Sequence, residues 1–434
     1  MKCEILSIGS ELTSGQNLDT NSQWLSRRLA EIGIAAGWHT TIADDLDANI
    51  EAFRIASRRA GLVLATGGLG PTQDDLTREV LARVAGVELV ENAESLRHIE
   101  EMFRRRNRPM PERNRVQALF PAGSVPIPNE RGTAPGVWMR LGDCWLAAMP
   151  GVPSEMYAMF ETQVRPRLLA LGLGGGVLVQ RKINTFGLGE SAIEEKLLDL
   201  TRRGNVPEVG ITVHDAVISL RILARAPTLA DAQAQIAPVE ETMRQRLGHL
   251  VFGADGEELP DAVAALLESK RLSLATAESI TAGMVAEQLG SVPGISSWFR
   301  GGIIAYDNRL KVELLGVPQA LIDSHGAVSA EVAEAMAVGC RTRLRTDLAV
   351  STVGVAGPND LGADRPAGLV YVALAWSGGV SSMRFSWTGS RTEVQRRTAK
   401  LALNQARLHL LSKEQTAKTP RTPREEESHH ESHE

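Results

Sequence analysis

Along the chain, short continuous apolar runs alternate with stretches whose apolar residues recur at helical spacing. Residues 3–9, CEILSIG, predict a buried strand ending at Gly9-Ser10-Glu11. Over 19–33, Trp24, Leu25, Leu29 and Ile32 lie at helical spacing behind a cap candidate, Asp19 or Asn21, and ahead of a glycine stop. A strand over 35–43, a helix over 46–60 and a strand over 62–66 continue the alternation. That strand runs into GGLGPTQDDLT at 67–77 and a helix ending near Ala85. A helix from near Asn92 and a strand over 144–149 follow. Strands alternating with helices of this length predict a parallel sheet covered on both faces.

Glycine-rich punctuation divides the rest. GLGGG at 172–176 reads as a linker. Beyond it a strand over 178–185, a helix over 190–201, one or two strands over 210–224 and a helix over 229–247 make a small α+β unit. GADGEELP at 253–260 marks a second boundary. A helix over 261–270 then leads to a strand over 272–276, and the turn at 278–283 opens a helix running through Leu289. The chain therefore reads as an α/β protein with domains over 1–171, 172–253 and 254–412. Its charged tail over 413–434 is expected to be disordered.

Composition narrows the class. The 434 residues carry 47 basic and 52 acidic side chains, a formal charge of −5, which argues against a protein that coats nucleic acid. No signal-peptide pattern or run of about 18 apolar residues is present, so a cytoplasmic protein with no membrane partner is expected. Cys3, Cys144 and Cys340 are far apart, with no metal-ligand spacing, and read as buried small hydrophobes. SHHESHE at the end reads as a solvated polar tail. Arg104, Arg105, Arg106 and Arg108 fall at a predicted helix end, where cations complement the dipole and stay solvated.

Two stretches carry candidate chemistry. In the first domain Glu11, Asp74 with Asp75, and Glu155 each follow a predicted strand within a few residues. Ligands of open α/β sheets bind at those strand ends. Gly67, Gly68, Gly70 and Thr72, with Asn129, Gly132 and Thr133, complete a polar crevice suited to a phosphorylated ligand. Asp74 and Asp75 would repel a phosphate unless a divalent cation bridged them, so Glu11, Asp74, Asp75 and Glu155 are the metal candidates. The alternative is that Asp74 caps the following helix. In the third domain TAESITAG places Ser279 at a strand-to-helix turn, ahead of GGIIAYDNRLK. No histidine lies between Leu250 and Ala320. A desolvated lysine can serve as base, making Ser279 the candidate nucleophile, Lys311 the base and Tyr306 a relay. Spacing leaves an equal alternative in which Ser279 and Thr281 cap the helix.

The motifs resemble one family. GSEL at 9–12, GGLGPTxDDxT, NxxGTAPG at 129–136 and PGVPSEM at 150–156 are similar to the N-terminal domain of CinA, the competence/damage-inducible protein, related to the molybdopterin-binding fold. The middle segment resembles the CinA KH-like domain but lacks a GxxG loop, since Gly187 and Gly189 are too close. Nucleic acid is therefore not the expected partner, and a structural or dimer-forming role is expected. The stretch 276–283 with GGIIAYDNRLK, HGAVS, GVAGP, RPAGLVYVAL and GSRxxVxxR resembles the C-terminal CinA domain.

The resemblance implies deamidation of nicotinamide mononucleotide to nicotinic acid mononucleotide and ammonia, without a cofactor. It places the catalytic roles on Ser279, Tyr306 and Lys311. Thr281, Gly283, Gly354 and Gly357 become backbone contacts, and Arg391 or Arg396 a phosphate contact. For the first domain it implies metal-dependent ADP-ribose pyrophosphatase activity; for the whole, a homodimer. Two departures stand out: Ala282 where the family has glycine, and Asn359-Asp360-Leu361 where it has a glycine pair. His325 is a rival base, read instead as a turn residue.

Overall fold

The computed structural model describes residues 2–417. They divide into two compact units: the chain up to Gln180 with Leu223–Ala237, and Arg181–Ile222 with the chain from Pro238 onward.

The first domain begins β1 (Lys2–Ile8), α1 (Ser10–Thr13), α2 (Thr20–Ala30), β2 (Ala35–Ile42), α3 (Leu46–Arg59), β3 (Leu62–Thr66) and α4 (Thr77–Ala85). It continues with β4 (Leu89–Glu91), α5 (Ala93–Arg105), β5 (Leu119–Pro121), β6 (Val125–Ile127), β7 (Gly136–Leu141) and β8 (Cys144–Met149). Helices α6 (Pro153–Met159) and α7 (Arg165–Ala170) flank a π-helical turn at Phe160–Val164. Local chemistry explains the starts: Asp19 caps α2 by accepting from Ser22 N at 2.9 Å, and Asp45 caps α3 through Ala48 N at 2.8 Å.

The sheet order is β2-β1-β3-β8-β7-β6. β2, β1, β3 and β8 pair in parallel, but β7 runs antiparallel to both of its neighbours, β8 and β6, so the expected all-parallel sheet is mixed. Only Gly142 and Asp143 separate β7 from β8, and a two-residue link can join only antiparallel strands. Apolar clusters on both faces bury β1 and β3 almost completely. The 172–176 stretch is packed rather than free: a Cβ on Gly174 would lie 2.9 Å from Ile32 O, and one on Gly176 2.2 Å from Ala226 O.

The middle segment holds β9 (Val177–Phe186), α8 (Glu190–Lys196), β10 (Glu208–His214), β11 (Val217–Ala226), α9 (Leu229–Leu247) and β12 (Val251–Ala254), with sheet order β10-β11-β9-β12. It contributes to both units, whose division falls within β9, β11 and α9. Helix α8 stops five residues short of expectation because Leu197 leaves helical geometry at φ −128.

The third domain comprises α10 (Leu259–Lys270), β13 (Leu274–Glu278), α11 (Met284–Gly290), β14 (Phe299–Ile304), α12 (Asn308–Leu315) and α13 (Gln319–His325). Then come α14 (Ala330–Leu344), β15 (Leu348–Gly354), β16 (Leu369–Trp376), β17 (Gly379–Ser386) and α15 (Arg391–Ala417). Helix α15 passes the expected domain end at 412 by five residues; the tail expected to be disordered otherwise lies outside the described residues. The sheet order is β14-β13-β15-β16-β17, with the first three strands parallel. Strand β13 starts two residues later than expected, since Ser273 is engaged with Asp347. It therefore ends on Glu278 rather than Thr276.

That shift matters to the turn. The Glu278 carboxylate is 1% exposed and accepts from Gly283 N (2.9 Å), Val285 N (3.0 Å), Ala286 N (2.8 Å) and the Thr281 hydroxyl (2.7 Å). It occupies the α11 N-terminus, where unpaired N–H groups favour a negative charge. The turn brings exposed Ala282 to φ +51, a left-handed conformation natural to glycine.

Two outcomes follow. Glu278→Gln sets an amide N–H against backbone N–H groups and is expected to cost about 2–3 kcal/mol, read by chemical denaturation. Ala282→Gly relieves the left-handed strain and is expected to stabilise by roughly 1 kcal/mol in the same measurement.

Candidate active site

Strand β13 is central among the three parallel strands, with Glu278 in register with Ile304 of β14 and Thr352 of β15. The chain leaves β13 towards β14 on one side, while β15 pairs on the other, so the carboxyl edge of β13 is a topological switch point. Ser279 follows directly. Its N–H donates to Thr352 O at 3.0 Å, while Glu278 O accepts from Ala305 N at 2.8 Å. Tyr306 thus leaves the sheet beside Ser279, one loop over.

The capping alternative for Ser279 is removed. Glu278 closes α11, and the partly exposed Ser279 hydroxyl makes no hydrogen bond among the described residues. Thr281 is fully buried between Glu278 and the Thr352 hydroxyl, 2.7 Å from each, and Gly283 N is committed to Glu278. The expected backbone contact of Gly283 is therefore taken by the turn's own framework, whereas for Thr281 it is the hydroxyl that is occupied.

Lys311 is 2% exposed, on the first turn of α12 that Asp307 caps through Arg309 N at 2.7 Å. Its Nζ donates to Tyr306 O at 3.0 Å and to Asn308 Oδ1 at 3.2 Å. Burial lowers its pKa from the ordinary lysine value, partly offset by Asp307. A neutral amine has two N–H groups, and two acceptors are supplied. In the neutral form those two bonds would leave the lone pair available.

Tyr306 is 54% exposed, and its hydroxyl accepts from Arg391 Nη2 at 2.6 Å. Arg391 Nη1 also donates to Gly357 O at 2.9 Å, and Gln395 Nε2 donates to Ile280 O at 2.9 Å. The start of α15 thereby ties together the loops after β13, β14 and β15. Gly357 stands at φ +84, whereas Gly354 packs against Leu369 O and Ile280, where a Cβ would lie within 2.8 Å of each. Gly354 thus serves close strand packing.

Arg396 does not join Arg391. Its guanidinium pairs with Asp215 at 3.7 Å, away from the Tyr306 loop. His325 ends α13 beside Glu331 at 3.4 Å, and Ser329 caps α14. Asp360 accepts from Ala367 N at 2.7 Å, closing its loop upon itself. Glu278, Asn308 and Gln395 were missed in the sequence. The one visible pointer was an acid directly before the serine.

The first-domain candidates assemble differently. Asp75 accepts from Gly70 N at 2.7 Å and Thr72 N at 2.8 Å, and also takes the Thr72 hydroxyl. Asn129 donates to Glu155 Oε2 at 2.7 Å and accepts from Gly132 N at 2.9 Å, while a Cβ on Gly132 would meet Glu155 at 2.1 Å. Thr133 is half-buried on that loop. A Cβ on Gly67 would lie 2.1 Å from Ile8 O, and one on Gly68 2.3 Å from the Thr77 hydroxyl. These residues build two closed loops. The α4 cap is Leu76, not Asp74, whose exposed carboxyl is held below its ordinary range by Thr72.

The residues do not fit the expected metal centre. Among the described residues no three of His, Cys, Asp and Glu gather closely enough to hold an ion. Asp75 and Glu155 are turned into their own loops. Buried Arg78, missed in the sequence, donates to Leu69 O at 2.9 Å and Pro135 O at 3.4 Å beneath both; burial brings its pKa down to about 10. The open cleft lies next to this, a cavity of about 410 Å³ at the ends of β1 and β3 containing Glu11, Asn17, Asp19, Asn21 and Thr66. There Asn21 donates to Thr66 Oγ1 at 3.1 Å and Gly151 O at 2.8 Å, while its Oδ1 is hidden and has no partner.

No described helix is long and apolar enough to cross a membrane. Residues 4–170 match a probable molybdopterin binding domain, 180–253 the damage-inducible protein CinA KH domain, and 256–410 the CinA C-terminal domain. A CinA-like protein of Dictyoglomus thermophilum is 42% identical over 412 residues, covering 95% of this chain and 100% of that protein. A putative competence-damage inducible protein of Clostridium novyi is 39% identical over 414 residues, covering 95% and 99%. A crystal structure described as the protein CinA with unknown function, from Thermoplasma acidophilum, covers 38% of this chain and 98% of its own, with 30% identity and a TM-score of 0.36. With its three domains in this order and relatives matched from end to end, the chain belongs to the CinA family.

Proposed function

We propose that the third-domain site hydrolyses the carboxamide of nicotinamide mononucleotide to nicotinic acid mononucleotide and ammonia. What supports this reading is the buried Lys311 amine, with acceptors for two N–H groups and a depressed pKa, held by the loop after β14, together with a Ser279 hydroxyl freed from capping at the end of the adjoining strand β13. Ser279 Oγ attacks the carboxamide carbon as Lys311 takes its proton. The lysinium returns that proton to the departing nitrogen, and ammonia leaves an acyl ester on Ser279. Water then attacks the ester, Lys311 again carries the proton, and acid and free serine result. Arg391, exposed at the rim and bonded to Tyr306, suits the phosphate by charge.

A second reading is a nucleotide-binding or DNA-uptake accessory protein without turnover. It is favoured by the strained Ala282 and by the loop that Asp360 closes. For the first domain, the cleft that presents Glu11, Asn17 and Asp19 favours binding of an ADP-ribose-like nucleotide, whose hydroxyl or amino groups would donate to those side-chain oxygens. ADP-ribose pyrophosphatase activity is the corresponding reaction; the carboxylate geometry assigns it no metal step.

Purified protein incubated with nicotinamide mononucleotide is expected to release ammonia, and Ser279→Ala and Lys311→Ala to lose at least about 100-fold in rate. Because the neutral amine is the active form, the rate should climb with pH, with a midpoint below the ordinary lysine value of 10.5. Nucleotide binding without ammonia would instead establish the accessory reading. For the first domain, calorimetry with ADP-ribose should show binding that Asn17→Leu weakens by about 10-fold or more. Hydrolysis is followed with and without magnesium, and absence of binding removes that assignment.

A further inference from the structure

Helix α15 is engaged on two sides within the second unit. Arg391 and Gln395, one helical repeat apart, reach the loops after β13, β14 and β15. Arg396 and Lys400, spaced in the same way, stand about 140° further round the helix axis. There both meet one residue of the middle segment, Asp215. Lys400 Nζ donates to Asp215 O at 3.2 Å, and the Arg396 guanidinium lies 3.7 Å from the Asp215 carboxylate. The β10–β11 turn and α15 belong to one compact unit, so the start of the helix stands between that turn and the strand-end loops.

The turn is itself held in place. Only Asp215 and Ala216 separate β10 from β11, at φ +47 and +64. A two-residue hairpin of this kind calls for positive φ at both positions, and glycine is favoured at the second. Ala216 adopts that conformation without glycine's freedom, which persists only where the surroundings enforce it. Ala216 and Val217 pack against the apolar cluster to which Val394 and Leu401 of α15 belong. The Asp215 side chain, 13% exposed, sets its charge against both cations. Burial lowers the pKa of Lys400, and Asp215 opposes that fall most strongly.

We propose that the β10–β11 turn is a positioning element of the third-domain site: by holding one side of α15 through Asp215, it sets where Arg391, on the other side, meets the substrate's phosphate. This rests on the deamidase reading above, in which Arg391 takes that phosphate. Asp215 touches no substrate and acts through the helix. Losing an interaction that binds ground state and transition state alike raises KM and leaves kcat unchanged. The phosphate is remote from the carboxamide, so displacing Arg391 belongs to that class.

The test follows ammonia release by the full chain over a range of nicotinamide mononucleotide concentrations. Asp215→Arg sets a third cation against Arg396 and Lys400 and should raise KM about 3- to 10-fold, with kcat within about twofold. Lys400→Met, which removes the hydrogen bond to the turn, should raise KM about 2- to 5-fold. Adding Arg396→Asp to Asp215→Arg restores an opposite pair and should return KM to within about twofold of the unaltered chain. Arg391→Ala removes the phosphate contact itself and sets the upper limit of the rise. Thermal unfolding verifies that each variant is folded. KM unchanged in either folded single variant at Asp215 or Lys400, a fall in kcat alone, or no recovery in the charge-swapped chain overturns the positioning role. KM unchanged in Arg391→Ala removes the phosphate contact and the proposal with it. No ammonia from the unaltered chain overturns the deamidase reading on which both stand.

Discussion

The candidate active site depends on the burial of one carboxylate. Glu278 gives four donors of its own turn a single acceptor, and those bonds set where β13 ends, where α11 begins and which groups remain free. An anion at a helix N-terminus is favourable on two grounds: the N–H groups lack intrahelical partners, and the helix dipole is positive there. Because the carboxylate performs the capping, the adjacent serine does not. The chemistry proposed for Ser279 begins with that division of labour between neighbouring residues.

Lys311 is organised on the same economy of bonds. Burial makes its charged form unfavourable, and the two acceptors nearby match the donors of the neutral form. Asp307 opposes this while capping α12, so the helix that positions the lysine also limits how far its pKa falls. Helix α15 completes the arrangement through Arg391 and Gln395. Two residues remote in sequence thereby hold the three strand-end loops in one relation.

The first domain repeats the device in loops that bind their own backbone. Asp75 closes the glycine turn after β3, and Asn129 with Glu155 closes the loop before β7. Asp75, which accepts three hydrogen bonds on its two oxygens, is a poor ligand for an ion, because its lone pairs already have partners. Glycine at 67, 68 and 132 permits the close approaches, which explains the motif without requiring phosphate contact at each residue.

Much of this architecture was legible in the sequence because its causes are local. The apolar periodicity and capping residues of α2, α3 and α5 mark their starts, and β3 follows from a short apolar run bounded by glycine. The ordered motifs also placed Ser279, Tyr306 and Lys311 on elements close in the sheet. What tertiary structure alone decided was partnership. Gly283 and Arg396 are chemically suited to a ligand, yet neighbours distant or unmarked in sequence take their groups; Gly354 is taken up by strand packing. Asp74, Asp75, Glu11 and Glu155 follow strand ends as expected, but direction and prior hydrogen bonds keep them from forming one metal centre. Sequence specifies which groups a residue can offer; only the packed fold determines which of them remain unpaired.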